Sequence, residues 1–126
     1  MKTLILGISV IAILFISISC KKDKIKLPVV ETMQVSVTGV TSAQCGGNVI
    51  SDGGSPVTSR GVCWSIAIAP TIAGNKTING SGTGTFTSNI AGLISDTVYF
   101  FRAYATNEAG TGYGEELSFR TLVAVP

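Results

Sequence analysis

The chain has 126 residues, with nine Lys or Arg, seven Asp or Glu and no histidine, which is room for one domain. Without histidine it lacks the commonest general base and the commonest metal ligand. Five of the nine basic residues (Lys2, Lys21, Lys22, Lys24, Lys26) precede Leu27; beyond it Arg60, Lys76, Arg102 and Arg120 stand against six acids, which leaves no basic face for nucleic acid.

Met1 to Ser19 carries one charge, Lys2, ahead of an unbroken run of apolar and small residues. A basic start, an apolar run and a small residue before a break read as a secretory signal. The alternative is an uncleaved membrane span, for which about 16 residues is short. Cys20 directly after Ser19, with a charged segment behind it, resembles a bacterial lipoprotein signal, which is cut before the cysteine and whose thiol is then lipidated. Ser17 departs from the leucine usual in such signals. The resemblance implies a signal over 1–19, lipidation at Cys20, a membrane partner through the lipid, and a domain outside the cytoplasm. Lys21 to Lys26 reads as a hydrated spacer, with attraction to anionic lipid or a sorting signal as alternatives. The tether is taken as 20–30.

From there the chain reads as short strands. Met33, Val35, Val37 and Val40 alternate with polar residues. Thr41 to Ser51 follows, with Ala43, Cys45, Gly47 and Val49 on one face. Ser51-Asp-Gly-Gly-Ser-Pro56 is a turn. Val57 to Ser65 is the third strand, with Val62 and Trp64 inward and Trp64 as the large central core residue. Ile66 to Gly84 is the least regular part; Lys76-Thr77-Ile78 is a short strand closed by Asn79-Gly80. Thr85 to Ile90 is led by Phe86.

The segment Leu93 to Asn107 organises the rest. Tyr99, Phe101, Ala103 and Ala105 fall on one face and Phe100, Arg102 and Tyr104 on the other, a period of two. Leu93 and the turn formers Ser95 and Asp96 precede Tyr99, the arrangement of a tyrosine corner, where the hydroxyl ties back to the backbone upstream. A hairpin loop at 107–112 leads into Tyr113 to Thr121, with Leu117 and Phe119 alternating. About seven strands with regular turn signals and no helical period describe an all-β sandwich. Trp64, Leu93, Tyr99, Phe101 and Phe119 are its expected core.

Several phrases carry a family resemblance: Gly46-Gly-Asn-Val49, Ser51-Asp-Gly-Gly54, Arg60-Gly-Val-Cys-Trp-Ser65, Pro70-Thr-Ile72, Gly82-Thr-Gly-Thr-Phe86, Arg102-Ala-Tyr-Ala-Thr-Asn107 and Gly112-Tyr-Gly114. Together they are similar to fibronectin type III-like repeats of exported Bacteroidetes lipoproteins. The resemblance covers nearly all of the chain beyond the tether. It implies an immunoglobulin-like, seven-stranded antiparallel sandwich over 31–122, a tail or linker start at 123–126, and a role in spacing, display or adhesion at the cell envelope, at the outer membrane. The family brings no catalytic motif.

The residues agree with a non-enzyme. Glu115 and Glu116 are adjacent, so a strand sends them to opposite faces and they cannot act as an acid/base pair. Asp52, Asp96 and Glu108 sit in turns, where acids cap backbone groups. Serines and threonines have no base beside them, and Gly80 to Gly84 lacks the lysine and helix of a phosphate loop. Cys45 and Cys63 are either a disulfide or two small free thiols behaving as hydrophobes; with no histidine they make no metal site, and no cofactor is expected. The alternative to a spacer is a glycan- or peptide-binding module that stacks its ligand on Phe100, Tyr104 and Tyr113 of the last two strands; cross-strand packing is the other reading of those rings. The protein is expected to be a monomer.

Overall fold

Phe86, Ser88 and Ile90 are buried while Thr85, Thr87 and Asn89 are exposed, and this alternation lets one face of a strand enter a core while the other meets water. Eight such strands make up a computed structural model that describes residues 24–125. They are β1 (Val29–Thr38), β2 (Ala43–Ser51), β3 (Ser59–Ser65), β4 (Asn75–Lys76), β5 (Gly84–Ile90), β6 (Val98–Asn107), β7 (Gly110–Tyr113) and β8 (Leu117–Arg120). No helix occurs among the described residues. The signal, Cys20 and most of the tether lie outside them.

The strands form two antiparallel sheets, β1-β2-β5 and β4-β3-β6-β7, with β8 pairing β6 beyond β7. Their inner faces meet in a core of Val30, Ala43, Cys45, Val49, Val57, Val62, Phe86, Ile90, Leu93, Tyr99, Phe101, Ala103, Ala105 and Phe119. Phe101 is fully buried and meets Phe119 edge-on at 5.7 Å, while Tyr99 stacks on Phe119 at 5.8 Å. The sequence reading expects one last strand from Tyr113 to Thr121; the structure has two, broken at 114–116.

That break is filled from the other sheet. The Ala103 N–H, left without a neighbour by the break, donates to the Thr32 hydroxyl at 3.0 Å. Thr32 N–H in turn donates to Glu115 Oε1 at 3.1 Å, which holds the Glu115 carboxyl below its ordinary range. β1 thus closes one open side of the sandwich, and side chains cap backbone groups that would otherwise be orphaned. The close approach demands glycine. A Cβ on Gly112 would fall within 2.2 Å of the Pro28 carbonyl oxygen, and one on Gly114 within 2.4 Å of Thr32 Oγ1. On the opposite side Thr77 Oγ1 and Ser88 Oγ meet at 2.7 Å and link the two sheets.

Three expectations are corrected here. The inward residues of β1 are Val30 and Thr32, whereas Met33 and Val37 are exposed and Val35 is only half-buried. An irregularity between Met33 and Val37 shifts the register, and a threonine at the buried position hides the phase from a hydrophobicity pattern. The sheet also starts earlier than residue 31. Lys26 N–H donates to the Gly53 carbonyl at 2.9 Å, Asn107 Nδ2 donates to the Lys26 carbonyl at 2.8 Å, and Pro28 is buried. Trp64, finally, is half-buried and packs against the core rather than filling its centre. It pairs with Asn75 of the two-residue β4, too short a neighbour to cover the ring. The centre belongs to Phe101, Ile90, Val49 and Val62.

At one pole of the sandwich the chain enters beside the β2–β3 turn and the β6–β7 hairpin, both held by Asn107. At the other pole Leu93 N–H donates to the Thr41 carbonyl and Leu122 N–H to the Gly39 carbonyl, each at 2.9 Å. The corner is made there: Ile94 N–H donates to Tyr99 Oη at 2.8 Å.

Candidate functional site

The face of β6 that carries Phe100, Arg102 and Tyr104 points away from the inter-sheet core, and the sequence alone assigns it to solvent. The segment 66–74 between β3 and β4 crosses it instead. Pro70 is buried, and its carbonyl oxygen accepts from Arg102 Nε at 2.9 Å and Nη2 at 2.5 Å. Ile72 N–H donates to Tyr113 Oη at 3.1 Å, and Ala69 N–H to Glu116 Oε1 at 2.5 Å. Ala69 adopts φ 58°, a left-handed conformation that a residue with a Cβ enters at a cost. Four hydrogen bonds to three residues, Arg102, Tyr113 and Glu116, therefore fix this strap across the sheet.

Beneath the strap lies a second small core. Tyr104 is 1% exposed and its hydroxyl donates to the Thr77 carbonyl at 2.5 Å; burial raises its pKa above the ordinary phenol value. Cys63 is completely buried, with Sγ 3.5 Å from the Pro70 carbonyl oxygen. Burial pushes its thiol up, against the opposing pull of the Arg102 charge. Cys45 sits in the inter-sheet core, where burial pushes its thiol to about 12. Both thiols are free, so the two-thiol reading describes them. They lie in different sheets.

The three rings expected to form a stacking surface are thus separated in role. Tyr104 is withdrawn from solvent altogether, contrary to the expectation of an exposed ring, with its hydroxyl turned to the Thr77 carbonyl. Tyr113 has one face occupied by the Arg102 guanidinium, 4.1 Å from the ring centroid. Phe100 remains, half-buried, in a groove of about 410 Å3 lined also by Gln34, Glu116, Leu117 and Ser118. Residue spacing could not reveal Gln34, because it comes from the irregular part of β1 in the other sheet.

Asp52, Asp96, Glu115 and Glu116 hold backbone or pair with a cation. Asp52 Oδ1 accepts from Gly54 N–H at 2.9 Å, and Asp96, at φ 50°, pairs with Arg120 at 2.8 Å on the surface. Glu115 and Glu116 hold Thr32 and Ala69, on different elements. Arg60 lies over Phe86 and donates to the carbonyls of Asn79, Gly82 and Thr83, so the glycine-rich stretch is clasped as a loop. No group of three or more metal-ligating side chains occurs among the described residues.

No family model matches the chain, and no curated protein matches it. Solved structures do. The sixth fibronectin type III domain of human fibronectin type III domain containing protein 3 is 27% identical, with TM-score 0.53, over 87% of this chain and 94% of that one. The sensor domain of the anti-sigma factor RsgI4 of Pseudobacteroides cellulosolvens is 16% identical, with TM-score 0.57, over 80% of this chain and 100% of that one. Domains A168–A170 of titin align at 24% identity and TM-score 0.55 over 76% of this chain and 32% of that one. The fold is a fibronectin type III-like sandwich, an architecture whose domains are generally non-catalytic modules; at these identities the likeness concerns fold, since function resides in sites rather than folds.

Proposed function

We propose that this chain is a non-catalytic module of a bacterial cell envelope, lipid-anchored at Cys20, whose sandwich spaces or displays what lies beyond it. One observation carries the reading: the side chains best suited to chemistry are committed to holding backbone. Glu115, Glu116, Asp52, Arg60 and Arg102 each clasp a backbone group from a turn, strap or strand, and both thiols are buried. Such a molecule is built to keep its shape. The chain enters at one pole and leaves at the other, an arrangement suited to separating two attachments by the length of the domain.

Mass spectrometry of the protein recovered from its native membrane, combined with protease shaving of intact cells, tests the reading. The expected product starts at an acylated Cys20 and is removed by shaving. An intact Met1 start, or a soluble product cut elsewhere, overturns the anchor; an acylated chain that shaving spares restricts display to the inner side of the membrane.

A further inference from the structure

Beside the break between β7 and β8 the surface holds a groove that the spacer reading does not use. Its volume of about 410 Å3 lies within the roughly 300–1,000 Å3 typical of small-molecule sites. The lining combines two kinds of group. Phe100, partly buried, supplies the apolar surface and is fixed by pairing with Ser65 on one side and Ser118 on the other, while Leu117 beside it packs against the inter-sheet core. Around it stand the amide of Gln34, the carboxylate of Glu116 and the hydroxyl of Ser118, all exposed.

One of the polar groups is held in place. Glu116 Oε1 is tied to Ala69 N–H of the strap at 2.5 Å, while its second oxygen makes no hydrogen bond among the described residues. No cation among the described residues lines the groove; the nearby Arg102 is engaged by Tyr113 and Pro70. An anionic ligand would meet an uncompensated carboxylate there, at a cost. A ligand with an apolar face and several neutral hydroxyls would meet a ring, an acceptor, an amide that both donates and accepts, and a hydroxyl.

We propose that this groove binds a neutral pyranoside, with the apolar face of one sugar ring against Phe100 and its hydroxyls on Glu116, Gln34 and Ser118. A β-linked gluco-configured chain suits it, because equatorial hydroxyls leave both ring faces apolar. The groove is open and makes few contacts, so affinity is weak, with Kd about 1 mM. The site extends the spacer reading without depending on it, since binding at Phe100 requires neither the lipid nor surface display.

The test titrates cellotetraose into the full chain held in dodecylphosphocholine micelles, whose headgroup carries no sugar, and follows backbone amide shifts by NMR. Expected are saturable shifts centred on Gln34, Phe100 and Ser118, with binding weakened about tenfold or more in Phe100→Leu. Leucine preserves an apolar side chain while removing the ring, and an unchanged spectrum elsewhere certifies its fold. Glu116→Gln, which keeps an acceptor for Ala69, should weaken binding several-fold. Digalacturonate should not bind. The proposal is overturned by an absence of saturable shifts at concentrations on the order of 10 mM, by binding that Phe100→Leu leaves intact, or by digalacturonate binding as well as cellotetraose.

Discussion

Tyr99→Phe isolates the corner that joins the two sheets. The ring is buried and stacked on Phe119, and phenylalanine retains that packing. Only the hydroxyl is lost, and with it the acceptor for Ile94 N–H at 2.8 Å. A buried donor left unpaired costs about 1–3 kcal/mol. Ile94 is 63% exposed, so water reaches this turn in part and the expected loss is about 1.5 kcal/mol, the lower half of that range. For a domain of this size each kcal/mol moves Tm by roughly 4–8 °C, so a fall of roughly 6–12 °C is expected. Urea unfolding of the full chain, followed by Trp64 fluorescence, should show a lower midpoint with an unchanged slope. Tyr104→Phe supplies a second arm, since that hydroxyl serves Thr77 on the opposite face of β6. With no shared partner the two losses should add within about 0.5 kcal/mol. A Tyr99→Phe midpoint indistinguishable from the parent's would refute the assignment of an energetic role to the corner bond.

Other expectations follow from single contacts. Gly112→Ala should cost more than about 2 kcal/mol, because its Cβ would collide with the Pro28 backbone; a loss below that, measured by urea unfolding, would mean that β1 can move aside freely. Ala69→Gly should gain about 0.5–1 kcal/mol by relieving the left-handed conformation at φ 58°, and a loss would show that the alanine methyl contributes packing. With respect to pH, an unfolded chain releases the Cys45 proton near the ordinary 9.0, whereas the folded chain keeps it to about 12. Stability should therefore fall as pH rises between those values, by at most about 1.4 kcal/mol per pH unit for this group. Cys45→Ala should flatten that decline; an equal decline in the variant would assign it to other groups, among them Cys63 and Tyr104, whose pKa values burial also raises.

The sandwich was legible because its strands obey a local rule. Apolar and polar residues alternate clearly in β5 and β6, and glycine, proline and aspartate mark the turns between strands. The corner was legible for the same reason, since Leu93, Asp96 and Tyr99 lie within one short stretch. What was hidden depends on contacts between distant segments. Thr32 looks like a solvent-facing threonine until Ala103 N–H, 71 residues away, is found to need its hydroxyl. Tyr104 alternates correctly to the outer face, yet nothing in a period of two says that a strap crosses that face. The Phe100 groove likewise draws Gln34 from one sheet and Glu116 and Ser118 from the other end of the chain. Periodicity reports which face a residue occupies, and only the fold reports what covers it.

The lacing of β1 to the β7–β8 break also fixes how the molecule answers a pull. β1 leads away from the entry pole, and β7 and β8 run alongside it in the same sense toward the exit. A force applied between the two poles lies along these strands, so the β1–β2 ladder and the bonds at Thr32 must shear together. The same force applied across the sheet would open the ladder one bond at a time. Rupture along the axis should therefore need the greater force, and a single glutamate, Glu115, sits where that resistance is concentrated.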